Sequence, residues 1–212
     1  MAEARKLWIE GPAGRLECAL RVACPARAAA VLAHPHPLHG GTLHNPVIFH
    51  ADRELARAGW TTLRFNFRGV GTSEGTHDDG RGEVDDLAAA ASWLRGVAIA
   101  LPLAVVGYSF GSWCAIRHAA SDRGVAAVVA IGLPVRAYGI REIPRTGRPL
   151  AVVQGSDDEF GGPEEVRALL GRADPPGELT VVPGASHLFP GRAAEVAAAV
   201  LEAAERGLAR GR

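Results

Sequence analysis

Leu103-Ala104-Val105-Val106-Gly107-Tyr108-Ser109-Phe110-Gly111-Ser112 is the stretch on which the fold turns. Four apolar residues with strand character lead into a glycine-flanked turn, and helical spacing resumes near Ser112. A residue on such a strand-to-helix turn adopts strained backbone angles, and small neighbours at 107 and 111 let strand and helix pack closely around it. The hydroxyl of Ser109 is then expected to stand exposed above the edge of a sheet.

On either side of this segment, the apolar runs Ala28 to Ala33, Thr61 to Phe67, Val125 to Ile131, Leu150 to Val153 and Leu179 to Val182 are nearly continuous. Such runs suit strands buried on both faces. Between them lie segments of helical spacing: Val47 to Ala58, Gly82 to Leu94, Ser112 to Ala120, Glu164 to Leu170 and Ala193 to Leu208. Strand and helix alternate, which implies a parallel sheet covered by helices through right-handed crossovers. The start differs. Leu16, Cys18, Leu20 and Val22 alternate with polar neighbours, and Leu7 to Glu10 reads as their hairpin partner. The expectation is an α/β fold over residues 1–212 as one domain: about eight strands, mostly parallel, the first two antiparallel to the rest, with helices on both faces.

Composition narrows the function classes. The chain has 212 residues, 48% of them hydrophobic, which is enough for one sizeable core and rules out disorder. Twenty-three basic and 23 acidic side chains cancel, so no global field favours nucleic acid or anionic lipid. Three cysteines, Cys18, Cys24 and Cys114, are too few to staple such a domain. The first residues lack the apolar core of a secretory signal, and no apolar run reaches the roughly 18 to 20 residues of a membrane span. A cytoplasmic protein is expected, with a small-molecule partner and no nucleic-acid or membrane partner; its oligomeric state is left open.

A serine hydroxyl becomes a useful nucleophile only when a base removes its proton and an acid orients that base. On a strand–turn–helix nucleophile of this kind the expected chain order is Ser, then Asp or Glu, then His. Of eight histidines only His118 and His187 follow Ser109, and His118 lies inside the helix that begins there. His187, in Pro183-Gly-Ala-Ser-His187 after the run ending at Val182, is therefore the expected base. The turn after Leu150 to Gln154 offers Asp157, Asp158 and Glu159 as acids. Asp158 is the choice and Asp157 the alternative, with Glu159 expected to face solvent or cap the next helix. The acid would hold the imidazole tautomer and stabilise the imidazolium.

Two backbone N–H groups are expected to bind the oxyanion. One belongs to Phe110. The other should come from His34-Pro35-His36-Pro37-Leu38-His39-Gly40-Gly41, where the prolines have no N–H to give. His36 is the expected donor and Leu38 the fallback. The same loop carries a competing reading, because His34, His36 and His39, with His44 nearby, have ligand-like spacing for a zinc hydrolase. Against it, no carboxylate accompanies them at position 38, and the serine motif would go unexplained. Gly69-Val-Gly71-Thr-Ser-Glu-Gly75 fails as a dinucleotide fingerprint because its third glycine is one position late. Glu83, Asp85 and Asp86 suit a helix start, where negative charge is favoured, or else a salt bridge to Arg68 or Arg81.

With these residues in place the chain resembles the α/β-hydrolase superfamily, in particular its small cap-less bacterial members related to dienelactone hydrolases. The resemblance rests on His34-Pro-His-Pro-Leu-His-Gly-Gly41, Leu63-Arg-Phe-Asn-Phe-Arg-Gly-Val-Gly71, Gly107-Tyr-Ser-Phe-Gly111, Gly155-Ser-Asp-Asp-Glu159 and Gly184-Ala-Ser-His187, and covers essentially the whole chain. It implies an eight-stranded, mostly parallel sheet, a Ser-Asp-His triad and no cofactor; no metal is expected either. Two departures stand out. Ser109 occupies the place where dienelactone hydrolases carry Cys, and Leu188-Phe189 follows the histidine where two aromatics are usual. Lids in this fold commonly follow the sixth strand, and the short stretch Gly132 to Pro149 leaves no room for one.

The expected activity is that of a serine hydrolase, a carboxylic ester hydrolase of the serine esterase type, cleaving an ester or thioester of a small or exposed substrate through an acyl-enzyme. Leu133, Tyr138 and Ile140 are expected at the margin of an open site, and Arg136, Arg141, Arg145 and Arg148 as solvated residues or as attractors of an anionic substrate. The alternative from another class is a non-catalytic binding module on the same fold.

Overall fold

The computed structural model describes residues 3–211. The hairpin opens the chain as β1 (Arg5–Gly11) and β2 (Gly14–Arg21), followed by β3 (Ala28–Ala33), α1 (Pro46–Arg57), β4 (Trp60–Phe65) and α2 (Arg81–Val97). The second half runs β5 (Leu103–Tyr108), α3 (Phe110–Ser121), β6 (Val125–Ile131), β7 (Leu150–Gly155), α4 (Pro163–Arg172), β8 (Glu178–Val182) and α5 (Ala193–Arg210). The eight strands form one sheet in the order β1-β2-β4-β3-β5-β6-β7-β8. The antiparallel pairings are β1 with β2 and β2 with β4; all others are parallel.

Strand periodicity sorts the core into two layers. In β3, Ala29, Val31 and Ala33 pack with Leu87, Leu94, Cys114 and Val166, from α2, α3 and α4. Their neighbours Ala28, Ala30 and Leu32 pack with Val47, Ile48, Val196 and Val200, from α1 and α5. Both faces are covered, which is why these runs show no polar alternation.

The apolar run at 61–67 outlasts its strand. The N–H of Asn66 donates to the Glu17 carbonyl at 2.8 Å, and that of Phe67 to His34 Nε2 at 3.1 Å, so the chain leaves the β3 ladder after Phe65. The acids of α2 divide their work. Glu83 accepts the N–H groups of Asp78 and Gly80, Asp85 is exposed, and Asp86 holds Arg68 through Nη2 at 2.7 Å and Nε at 3.0 Å. The salt bridge to Arg68 is thus the role of Asp86, beyond any effect of the helix dipole.

Leu133 and Ile140 do not lie at an open margin. Both are buried in the layer of α2, α3 and α4, because the stretch after β6 folds back on the core.

Candidate active site

Because β3, β5, β7 and β8 are parallel, the loops at their carboxyl ends share one edge of the sheet, the place where α/β sheets bind ligands. Ser109 stands between β5 and α3 at φ 54° and ψ −118°, a positive-φ conformation that few side chains adopt. Its N–H donates to the Ile131 carbonyl at 2.8 Å, and its own carbonyl accepts the Ser112 N–H at 2.9 Å, which pins the turn from both sides. Ser109 is half-buried, so its hydroxyl is reachable.

The loop after β8 brings His187 to that hydroxyl. Ser109 Oγ lies 2.8 Å from His187 Nε2, and His187 Nδ1 lies 2.9 and 3.0 Å from the two oxygens of Asp158. The carboxylate accepts the Nδ1 proton, which leaves the Nε2 lone pair facing the Ser109 hydroxyl. His187 and Asp158 are each 3% exposed, so the contact between them is shielded from bulk water. Asp158 is further held by Gln154 Nε2 at 2.8 Å and the Phe160 N–H at 2.9 Å. The Phe160 ring meets the His187 imidazole edge-on at 4.6 Å.

The alternative acid lies elsewhere. Asp157 is exposed and accepts the Ser156 hydroxyl at 2.8 Å. Glu159 is exposed, as expected, and does not cap α4, a role taken by Glu165 at Gly162; its Oε2 also accepts the main-chain N–H of His187 at 3.1 Å. Tyr108 contributes as well, donating its hydroxyl to the His187 carbonyl at 2.9 Å. Nothing in the linear spacing points to Gln154, Glu159 or Tyr108; their contacts arise only when the loops meet.

Phe110 is the first residue of α3, where a main-chain N–H has no acceptor within the helix. The His36 ring lies 5.0 Å from the Phe110 ring, so the loop after β3 borders the same turn. The Leu38 N–H is engaged by His36 Nδ1 at 3.2 Å, which removes the fallback oxyanion donor and leaves His36 as the candidate.

The histidines of this loop serve different ends. His34 is fully buried, with Nδ1 at 2.6 Å from the Pro35 carbonyl and Nε2 accepting from Phe67, so it cannot ligate a metal without giving up a backbone bond. The rings of His39 and His77 flank that of His36 at 4.5 and 5.1 Å. Among the described residues no three His, Cys, Asp or Glu side chains converge as a metal site. Burial, then the neighbouring His39 and His77, lowers the His36 pKa.

Above the serine lies an open cleft of about 680 Å³, walled by His36, His39, Tyr138, Phe160 and Leu188. None of the four arginines expected nearby lines it: Arg136 pairs with Glu165 and Arg145 with Asp174. No described helix is long and apolar enough to cross a membrane.

Residues 26–205 match the family described as alpha/beta hydrolase domain. A Xanthomonas campestris α/β serine hydrolase without a lid is 32% identical, with a TM-score of 0.87 over 97% of this chain and 95% of its own. A Coxiella burnetii α/β serine hydrolase homologue is 34% identical, with a TM-score of 0.87 over 95% of this chain and 98% of its own. An Anabaena variabilis dienelactone hydrolase shares the fold at 20% identity, with a TM-score of 0.80 over 98% of this chain and 100% of its own. A lidless sheet, a serine on the strand–helix turn and a match across most of the chain lead to one assignment: this chain belongs to the α/β-hydrolase family.

Proposed function

We propose that the protein is a serine hydrolase that cleaves a carboxylic ester or thioester through an acyl-enzyme, with Ser109, His187 and Asp158 as its triad. The observation that carries this reading is the unbroken chain from Ser109 Oγ to His187 Nε2 to the Asp158 carboxylate at the floor of an open cleft.

Ser109 Oγ attacks the acyl carbon while its proton passes to His187 Nε2. The main-chain N–H groups of His36 and Phe110 hold the resulting oxyanion; such a donor is worth about 3 kcal/mol of barrier. Collapse breaks the bond to the alkoxide or thiolate, which takes the proton from His187. Water then attacks the acyl group, gives its proton to His187, and the acid leaves as the proton returns to Ser109. Asp158 stabilises the imidazolium at both stages.

The cleft favours a small or exposed substrate, since only the stretch 132–149 separates β6 from β7. Its walls are largely apolar or aromatic, and Glu159 is the one carboxylate among the described residues that line it, which supports uncharged groups next to the ester over anionic ones.

Hydrolysis of p-nitrophenyl esters of increasing chain length by the wild type and by Ser109→Ala tests the proposal, together with mass spectrometry after phenylmethylsulfonyl fluoride. The expected result is turnover of short esters, a single sulfonyl adduct on Ser109, and loss of both in the variant. Turnover that persists in Ser109→Ala would overturn it.

A further inference from the structure

We infer that Tyr108 and Glu159 are positioning residues that together fix the direction of the His187 imidazole. The inference rests on the triad reading above. Each residue neighbours a ring partner of His187: Tyr108 precedes Ser109, and Glu159 follows Asp158. Two dipeptides therefore make four contacts with one histidine. Ser109 and Asp158 meet its ring at 2.8 and 2.9 Å, whereas Tyr108 and Glu159 meet its carbonyl and N–H at 2.9 and 3.1 Å.

The need for such a grip follows from where His187 sits. It lies on the irregular stretch between β8 and α5, flanked by Gly184 at φ 65° and Phe189 at φ 49°. No ladder of the sheet sets the direction of its Cα–Cβ bond. Both of its main-chain polar groups bond to side chains, so the peptide planes that aim the ring are held by Tyr108 and Glu159.

Tyr108 is itself fixed by burial, and Glu159, though exposed, is braced at its main chain. Tyr108 ends β5 and is 2% exposed, packed with Val106, Val182 and Phe189. Burial, then the carboxylates of Asp158 and Glu159, pushes its phenol well above the usual range, so it remains a donor at neutral pH. The main chain of Glu159 is tied down by Arg136, whose guanidinium donates to its carbonyl at 3.2 Å. Its carboxyl lies below the usual range because its own N–H and that of His187 donate to it, so it stays an acceptor.

The test uses the full chain as wild type, Tyr108→Phe, Glu159→Ala, Glu159→Gln and the double variant Tyr108→Phe/Glu159→Ala. Two readouts are taken: kcat and KM on p-nitrophenyl acetate, and the low-field Nδ1 proton resonance of His187 in histidine-labelled protein. Each single loss is expected to lower kcat about 3- to 10-fold with KM nearly unchanged. Glu159→Gln, which keeps an acceptor oxygen, should recover most of kcat. The double variant should lose more than the product of the single effects and broaden or erase the resonance. Unchanged kcat with an unchanged resonance, or a loss confined to KM, would overturn the inference. If the wild type turns over no ester yet the resonance disappears in the double variant, the positioning role stands and the hydrolase reading falls.

Discussion

Gly107 and Gly111 are in backbone contact: a methyl group on Gly107 would sit 2.1 Å from the carbonyl oxygen of Gly111. One on Gly111 would sit 2.5 Å from the carbonyl oxygens of Ala33 and His34. The two glycines flanking Ser109 thus let α3 settle on β5 and on the loop that carries His36.

Alanine at either position is expected to cost several kcal/mol, about 3 or more, because the atoms in the way are backbone and cannot swing aside. Gly96 is the control. It lies in α2, and a methyl group there would meet nothing within 4 Å, so Gly96→Ala should gain about 0.5–1 kcal/mol. Urea unfolding of the three variants checks both signs.

The two neighbouring aspartates should separate cleanly in kinetics. Asp158→Asn offers an amide where the Nδ1–H needs an anion and is expected to reduce kcat by about 10⁴. Asp157→Asn alters an exposed side chain that accepts the Ser156 hydroxyl and leaves the main-chain bond to the Ala185 carbonyl in place, so it should keep kcat within about twofold. Equal losses in the two variants would remove Asp158 from its proposed role.

How far the site is legible in the sequence depends on what each residue answers to. Ser109 and His187 are readable because chain order and flanking glycines reflect local backbone demands. Asp158 is readable only as one of three acids, since the choice depends on which side chain the loop after β8 approaches. The sheet itself is readable from its apolar runs, because burial on both faces leaves no polar alternation to confuse them. The expectation for Leu133 and Ile140 fails because the stretch 132–149 has neither period, and only packing decides which way an irregular loop turns its apolar residues. Glu159 and Tyr108 leave no linear trace because what they hold is a main chain, which any residue type would present.

The Arg68–Asp86 pair is a buried ion pair, with the Asp86 side chain fully buried and that of Arg68 at 11% exposure. Removing one partner strands the other, so Asp86→Ala is expected to destabilise by about 3–5 kcal/mol. Arg68→Met/Asp86→Leu should recover part of that loss, though the Arg68 N–H loses its acceptor too. Chemical unfolding of the single and double variants measures the difference; a double variant no better than Asp86→Ala would refute the stranded-charge account.

His34 links acid stability to the loop beside the site. Burial drives its pKa from the ordinary 6.5 down to about 4, partly opposed by the bond to the Pro35 carbonyl. Between these values the unfolded chain holds a proton that the folded chain does not, so stability is complete above about pH 6.5 and declines as pH falls toward 4. By pH 5 the loss from this residue should be about 2 kcal/mol. His118, also depressed by burial, adds a loss of the same sign. Glu17 contributes little at pH 5: burial raises its pKa, but bonds from Lys6, Thr72 and Asn66 outweigh that and bring it from 4.5 to about 2, so its stabilisation is lost mainly as pH falls from about 4.5 toward 2. Urea unfolding at pH 7.5 and pH 5 for the wild type and His34→Gln makes the comparison. The variant should be weaker at pH 7.5, having lost the partner of the Phe67 N–H, yet lose less on acidification, and equal losses in both proteins would show that His34 is not their source.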